Sequence, residues 1–124
     1  MISSREILDS NKMPTVEVEL KNNFGIFKAS VPSGVSTGKY EAVELRDKDG
    51  KGVKKAIENI EKIIAPALAK EDFLNQKGID RVLIQLDGTK NKSKLGANAI
   101  LAVSIAACRL GAKIKNLPLY SYIS

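Results

Sequence analysis

The chain has 124 residues, of which 44% are hydrophobic and 27% charged, a balance typical of one compact domain. It contains no histidine and a single cysteine. This composition excludes Ser-His-Asp and Cys-His nucleophilic catalysis, histidine-rich zinc sites and an intrachain disulfide framework. Any metal ion bound here would therefore have oxygen ligands.

The formal net charge of +6, from 20 Lys and Arg against 14 Asp and Glu, raises the question of nucleic-acid binding. The lysines are scattered along the chain, and aromatic residues make up only 5%, which leaves few platforms for base stacking. We therefore expect no nucleic-acid partner. A positive field would nevertheless help to capture a phosphorylated acid.

The first part of the chain is patterned as β-strands. Residues 15–20 alternate apolar and acidic side chains with a period of two, which indicates a strand with one face in water. Turn residues follow, and residues 26–31 then return as an antiparallel strand. With residues 2–8 as a third strand, the pattern predicts a small antiparallel meander that must be covered on one face.

A loop rich in glycine and hydroxyl residues comes next. It consists of Pro32, Ser33, Gly34, Val35, Ser36, Thr37 and Gly38. Its free backbone and concentrated oxygen atoms suit a hard cation or a phosphate. A nucleotide-binding P-loop is excluded, because only three residues lie between Gly34 and Gly38 where the motif needs four, and Tyr40 stands where it needs serine or threonine. Composition alone leaves a plain surface loop equally open.

Helical patterns follow the loop. Apolar side chains at spacings of three and four predict an amphipathic helix that Pro66 should end or bend. The stripe consists of Val53, Ala56, Ile57, Ile60, Ile63, Ile64 and Leu68. A second amphipathic helix is predicted between Asn75, as its N-cap, and Gly88, as its C-terminal stop.

A third helix, from about residue 97 to residue 113, is apolar on nearly every side and should be the central one. It contains Cys108, which predicts a buried structural thiol rather than a nucleophile. Its apolar run, residues 99–108, is about half the roughly 20 residues needed to cross a bilayer, and no apolar leader opens the chain. We expect a cytoplasmic protein with no membrane partner.

The loop resembles the mobile active-site loop of the enolases (phosphopyruvate hydratases), and other blocks match that family in the same order. These blocks are residues 5–10, 14–19, 50–53, 86–89, 91–101 and 118–120. Because the blocks occur together, they are more specific than any short motif. The resemblance covers essentially the whole chain and implies an enolase N-terminal domain. It predicts one α+β capping domain over residues 1–124, a three-stranded antiparallel meander followed by a helical bundle.

In this family the N-terminal domain caps an α/β barrel, and the two interconvert 2-phosphoglycerate and phosphoenolpyruvate, a lyase step of glycolysis and gluconeogenesis. The resemblance implies that the lysine base, the general acid and the magnesium-binding carboxylates belong to the barrel, which this chain lacks. We therefore expect no catalytic residue here and no activity from the chain alone. It also implies that Ser33, Gly34, Val35, Ser36, Thr37 and Gly38 form the substrate loop, with Ser36 a ligand of Mg²⁺ in the complete enzyme.

The sequence departs from the family at one place. Enolases generally read Asp-Ser-Arg-Gly-Asn-Pro, whereas this chain has Asn11, Lys12 and Met13 at the three central positions. Nearby, Arg5 and Glu17 match residues that pair with the neighbouring subunit's barrel in family dimers. The alternative for this pair is that both are exposed strand charges that contribute little to stability.

Two functional interpretations are open at this point. In one, the chain is the N-terminal domain of a working enolase and acts, as a dimer with Mg²⁺, when joined to a barrel domain or subunit. In the other, it is a non-catalytic binding or assembly module derived from an enolase. The changed residues 11–13 are the reason for considering this second interpretation.

Overall fold

Three strands form one antiparallel sheet in the computed structural model, which describes residues 1–23, 25–31, 46–47, 52–89, 94–119 and 121. The strands are β1 (Ile2–Leu8), β2 (Pro14–Asn22) and β3 (Gly25–Ser30), arranged in the order β1-β2-β3. The predicted meander is therefore confirmed. Its central strand β2 buries Val16, Val18 and Leu20 on one face, as the alternating pattern requires.

The helical segment that begins at Lys54 is continuous but changes its winding. It runs as α1 (Lys54–Asn59), a π-helical segment (Ile60–Ile64) and α2 (Ala65–Leu68). The helix continues through Pro66 and ends at Leu68, two residues beyond the position where an end or a bend was predicted. The π segment was not predicted. It ends two residues before Pro66 and includes Lys62, whose carbonyl the proline ring would meet in a regular α-helix, so a wider turn relieves the crowding.

This change of winding also alters which residues are buried. Ile63, which the spacing places in the apolar stripe, is 37% exposed, whereas the polar Asn59 is buried. A π turn holds more residues than an α turn, so residues three apart no longer share a face. The predicted stripe is correct at Ile60, Ile64 and Leu68 and wrong at Ile63.

The second predicted amphipathic helix is α3 (Gln76–Asp87). Asn75 caps its start, because the side-chain oxygen accepts a hydrogen bond from the Gly78 amide at 3.0 Å. Gly88 ends it in the left-handed conformation, with φ of +68°. Both predicted boundaries are confirmed.

The last helix, α4 (Ala97–Ile114), is the central element of the core. Among the described residues it is the one helix long and apolar enough to cross a membrane by length and composition, and 56% of that stretch is buried. It packs against β2, β3, α1 and α3, so its apolar character is explained by this core position. Cys108 is buried in it, as predicted, and burial together with the negative charge of Asp80 raises the pKa of its thiol.

Candidate functional site

Two neighbouring residues at the start of β2 hold both flanks of residues 32–45. The Thr15 hydroxyl donates a hydrogen bond to the Val31 carbonyl, and the Arg46 guanidinium donates one to the Pro14 carbonyl. Thr15 is 2% exposed and Val31 3%, so the first bond is shielded from water. We call these two hydrogen bonds the flank contacts. They place Val31 and Arg46 beside consecutive residues of one strand.

The residue after Arg46 ties the second flank to the first helix. The Asp47 carboxylate accepts hydrogen bonds from the Lys54 and Lys55 amides, both at 3.0 Å. Val53, at the N-cap position of α1, provides no side-chain cap of its own. Asp47 therefore supplies the missing acceptor and a negative charge at the positive end of the helix.

Two further contacts tighten this junction. The Asp47 amide donates to the Gly52 carbonyl at 2.9 Å, and a Cβ atom at Gly52 would lie 2.4 Å from an Asp47 carboxylate oxygen. The Val53 amide donates to the Glu6 carboxylate of β1 at 3.0 Å. A side chain at position 52 would therefore push the Asp47 carboxylate away from the Lys54 and Lys55 amides.

The turn between β1 and β2 contains the residues that depart from the family pattern. The Asp9 carboxylate accepts hydrogen bonds from the Asn11 amide at 2.8 Å and from the Met13 amide at 2.9 Å. Lys12 adopts a left-handed conformation with φ of +61°, at the position where the resemblance leads one to expect glycine. The chain thus makes a left-handed turn here without glycine, which costs a non-glycine residue about 1–2 kcal/mol.

Arg5 and Glu17 lie opposite each other in the register of β1 and β2. Two guanidinium nitrogens of Arg5 lie 2.8 Å from one Glu17 carboxylate oxygen. The Arg5 side chain is 64% exposed and that of Glu17 is 17% exposed. Within this chain the two residues therefore pair with each other. Their pairing with a neighbouring subunit stays a prediction.

A second polar cluster lies between α3 and α4 in the chain. Asp87 is 1% exposed, and its carboxylate accepts hydrogen bonds from the Leu95 amide at 2.7 Å, from the Thr89 amide at 2.9 Å and from the Thr89 hydroxyl. Burial by itself would raise the pKa of the Asp87 carboxyl. The hydrogen bonds from Leu95, Thr89 and the Lys94 amide outweigh burial, so the pKa is lowered and the group is held ionised.

Asn59 holds the same segment from the first helical stretch. Its side-chain amide donates to the Lys94 carbonyl at 3.3 Å and to the Leu95 carbonyl at 3.2 Å. We call the hydrogen bonds that Asp87 and Asn59 make with residues 89, 94 and 95 the Asp87 network. It fixes both the donors and the acceptors of residues 94–95 immediately before the central helix.

The family model for the enolase N-terminal domain matches residues 1–123. The chain belongs to this family. It is 56% identical over 99% of its length to "Enolase" of Eimeria tenella and 55% identical over 99% to "Enolase 1" of Entamoeba histolytica. The chain spans 30% and 29% of the length of these two relatives. The resemblance and the predicted α+β fold are thus both confirmed.

The residues of the enolase substrate loop, Ser33 to Gly38, lie outside the described residues, so their assignment stays a prediction. In the parts of the chain that the structure describes, no three acidic or cysteine side chains are grouped as a metal site would need. The described residues therefore show how the flanks of the loop are held.

Sequence reasoning missed the flank contacts and the Asp87 network. One signal was present for the network, because Asn59 is a polar residue within the apolar spacing of a predicted helix. No comparable signal marked Arg46, whose partner Pro14 is 32 residues away in sequence. Long-range side-chain bonds to carbonyl groups leave no periodic trace in a sequence.

Proposed function

We propose that this chain is the N-terminal domain of a magnesium-dependent enolase. In this role it supplies the substrate loop, residues 33–38, to the interconversion of 2-phosphoglycerate and phosphoenolpyruvate. The observation that carries the proposal is the family match over residues 1–123, together with relatives named as enolases. Because the chain spans 30% of such a relative, the proposed activity requires a barrel domain joined to it.

The donor chemistry of the loop fits the proposed metal. The hydroxyl and backbone oxygens of Ser36 are hard ligands of the kind that Mg²⁺ takes in small numbers. When bound, the ion would stabilise the negative charge that develops on the substrate. The other loop residues would cover the substrate and exclude water, which strengthens electrostatic interactions in the site. The base and the acid would come from the barrel.

The proposed partners follow from the same assignment. The barrel domain is the first, and a second copy of the complete enzyme is the other, with Arg5 and Glu17 near the contact between subunits. The mutual pairing of Arg5 and Glu17 presents them together as one polar patch on the sheet. We place the complete enzyme in the cytoplasm.

The alternative, a non-catalytic module derived from an enolase, depended on the changed residues 11–13. The turn that contains them is well formed, with both Asp9 hydrogen bonds in place and Lys12 in a left-handed conformation. The changed residues therefore do not disrupt the turn between β1 and β2. This observation favours the working domain.

The test is a coupled assay of 2-phosphoglycerate dehydration with Mg²⁺. The chain is assayed alone and joined to a separately produced enolase barrel, and we expect activity only when the two are joined. Ser36→Ala should lower the rate of the joined protein, whereas Ser30→Ala, on an exposed position of β3, should leave it unchanged. No activity in the joined protein, with both parts shown to be folded, would support the non-catalytic module.

A further inference from the structure

The first flank contact extends the sheet beyond its backbone pairing. The β2–β3 ladder ends at the pair Glu17 and Ser30. Past that pair, the Thr15 side chain takes the Val31 carbonyl in place of a further backbone donor. The hydroxyl therefore holds the last described residue before residues 32–45 against β2.

The second flank contact holds Arg46, the first described residue after residues 32–45, at Pro14, which precedes Thr15. Arg46 donates to the Pro14 carbonyl, and Pro14 is itself paired with Leu8 in β1. The next residue, Asp47, caps α1. Arg46 and Asp47 are therefore held by two elements, β2 and α1, and β2 also holds Val31.

We propose that Thr15 and Arg46 are positioning residues for the substrate loop. Their hydrogen bonds fix Val31 and Arg46, the described residues on either side of residues 32–45, beside consecutive residues of β2. This inference rests on the proposed function of the loop. Fixing both ends of a segment removes many of its conformations, and small displacements of a reacting group lower rates steeply. Ser36 is closer in sequence to Val31 than to Arg46, so Thr15 should have the larger effect.

The test uses the chain joined to an enolase barrel. Thr15→Val keeps the shape of the buried side chain and removes the donor, and Thr15→Ser restores the donor. Arg46→Met removes the guanidinium and keeps an apolar stem. The matched control is Arg109→Met, because Arg109 also donates to a backbone carbonyl, that of Lys28, away from both flanks.

We expect Thr15→Val to lower kcat by about tenfold or more and Arg46→Met by less, with KM for 2-phosphoglycerate changed much less than kcat. Thr15→Ser should recover most of the rate, and Arg109→Met should match the unmodified protein. The proposal is wrong if kcat per folded molecule is unchanged in Thr15→Val and Arg46→Met, or if Arg109→Met lowers it equally.

A second measurement separates this inference from the proposed function. Amide hydrogen exchange on the same joined proteins should be faster at Val31 in Thr15→Val and at Asp47 in Arg46→Met, because each amide borders a lost contact. If the joined protein is inactive but exchange rises at these positions, the proposed function fails and the anchoring stands. Unchanged exchange at both positions would overturn the anchoring whatever the activity.

Discussion

The flank contacts hold Val31 and Arg46 beside β2, and the Asp87 network holds residues 89, 94 and 95 before α4, and the two use different chemistry. The flank contacts use one neutral hydroxyl and one guanidinium, each donating to a carbonyl. The Asp87 network uses a buried carboxylate that accepts several bonds and a buried amide that donates two. A buried N–H group that loses its acceptor costs more free energy than a carbonyl that loses one of its donors. The network should therefore govern stability, and the flank contacts should govern the placement of the loop.

The strongest test of this division is Asp87→Ala. Asp87 is 1% exposed, and the substitution leaves the Leu95 and Thr89 amides without their acceptor. We expect a loss of about 3–5 kcal/mol in the free energy of unfolding, measured by urea denaturation. Asp72→Ala is the control, because Asp72 accepts one amide bond at an exposed position and should cost much less. A loss of similar size in both variants would contradict the division.

Acidification should remove part of the same contribution. The native pKa of Asp87 is lowered, so its ionised form adds stability above the ordinary carboxyl pKa of about 3.9. That stability should be lost as the pH falls below this value and through the lowered native pKa. The measurement is the free energy of unfolding between neutral pH and pH about 3, compared with Asp87→Asn. Parallel pH profiles for the two proteins would show that the charge of Asp87 contributes nothing.

Asn59→Leu tests the neutral half of the network. The substitution keeps the branching and the number of side-chain heavy atoms and leaves the Lys94 and Leu95 carbonyls without this donor. We expect a smaller loss, about 1–2 kcal/mol in unfolding free energy, because a carbonyl without a partner is less costly than a buried amide. Gln85→Leu, at an exposed position of α3, is the control and should change stability little. A stabilised Asn59→Leu protein would show that Asn59 is not a structural donor.

The parts of the fold that sequence predicted are those in which neighbouring residues carry the signal. The β2 alternation, the Asn75 cap and the Gly88 stop each depend on residues within one turn or strand. The π segment was not predicted, because the spacing argument assumes 3.6 residues per turn throughout and cannot register a local change of winding. In the candidate site, the resemblance identified the loop and the residues Arg5 and Glu17. It did not identify Thr15 or Arg46, whose partners are 16 and 32 residues away.

Lys12→Gly is the smallest expected effect and the one that tests the turn beside the flank contacts. Lys12 has φ of +61°, a conformation that glycine adopts without steric cost. We expect the substitution to raise the unfolding free energy by about 0.5–1 kcal/mol, because relief of the strain exceeds the greater entropy of glycine in the unfolded chain. Asn116 also has positive φ, at +54°, and Asn116→Gly is the matched variant. Asparagine tolerates this conformation better than lysine, so the gain at position 116 should be smaller.

The Lys12→Gly variant also tests whether the turn affects the flank contacts. The turn passes directly into Pro14 and Thr15, so a relaxed turn that shifted them would change the flank contacts as well as the stability. We expect the joined protein with Lys12→Gly to keep its kcat, because the Asp9 hydrogen bonds to residues 11 and 13 hold the turn independently of the residue between them. A gain in stability accompanied by a lower kcat would instead show that the strain at Lys12 helps to place Pro14 and Thr15, and the turn would then belong with the positioning residues.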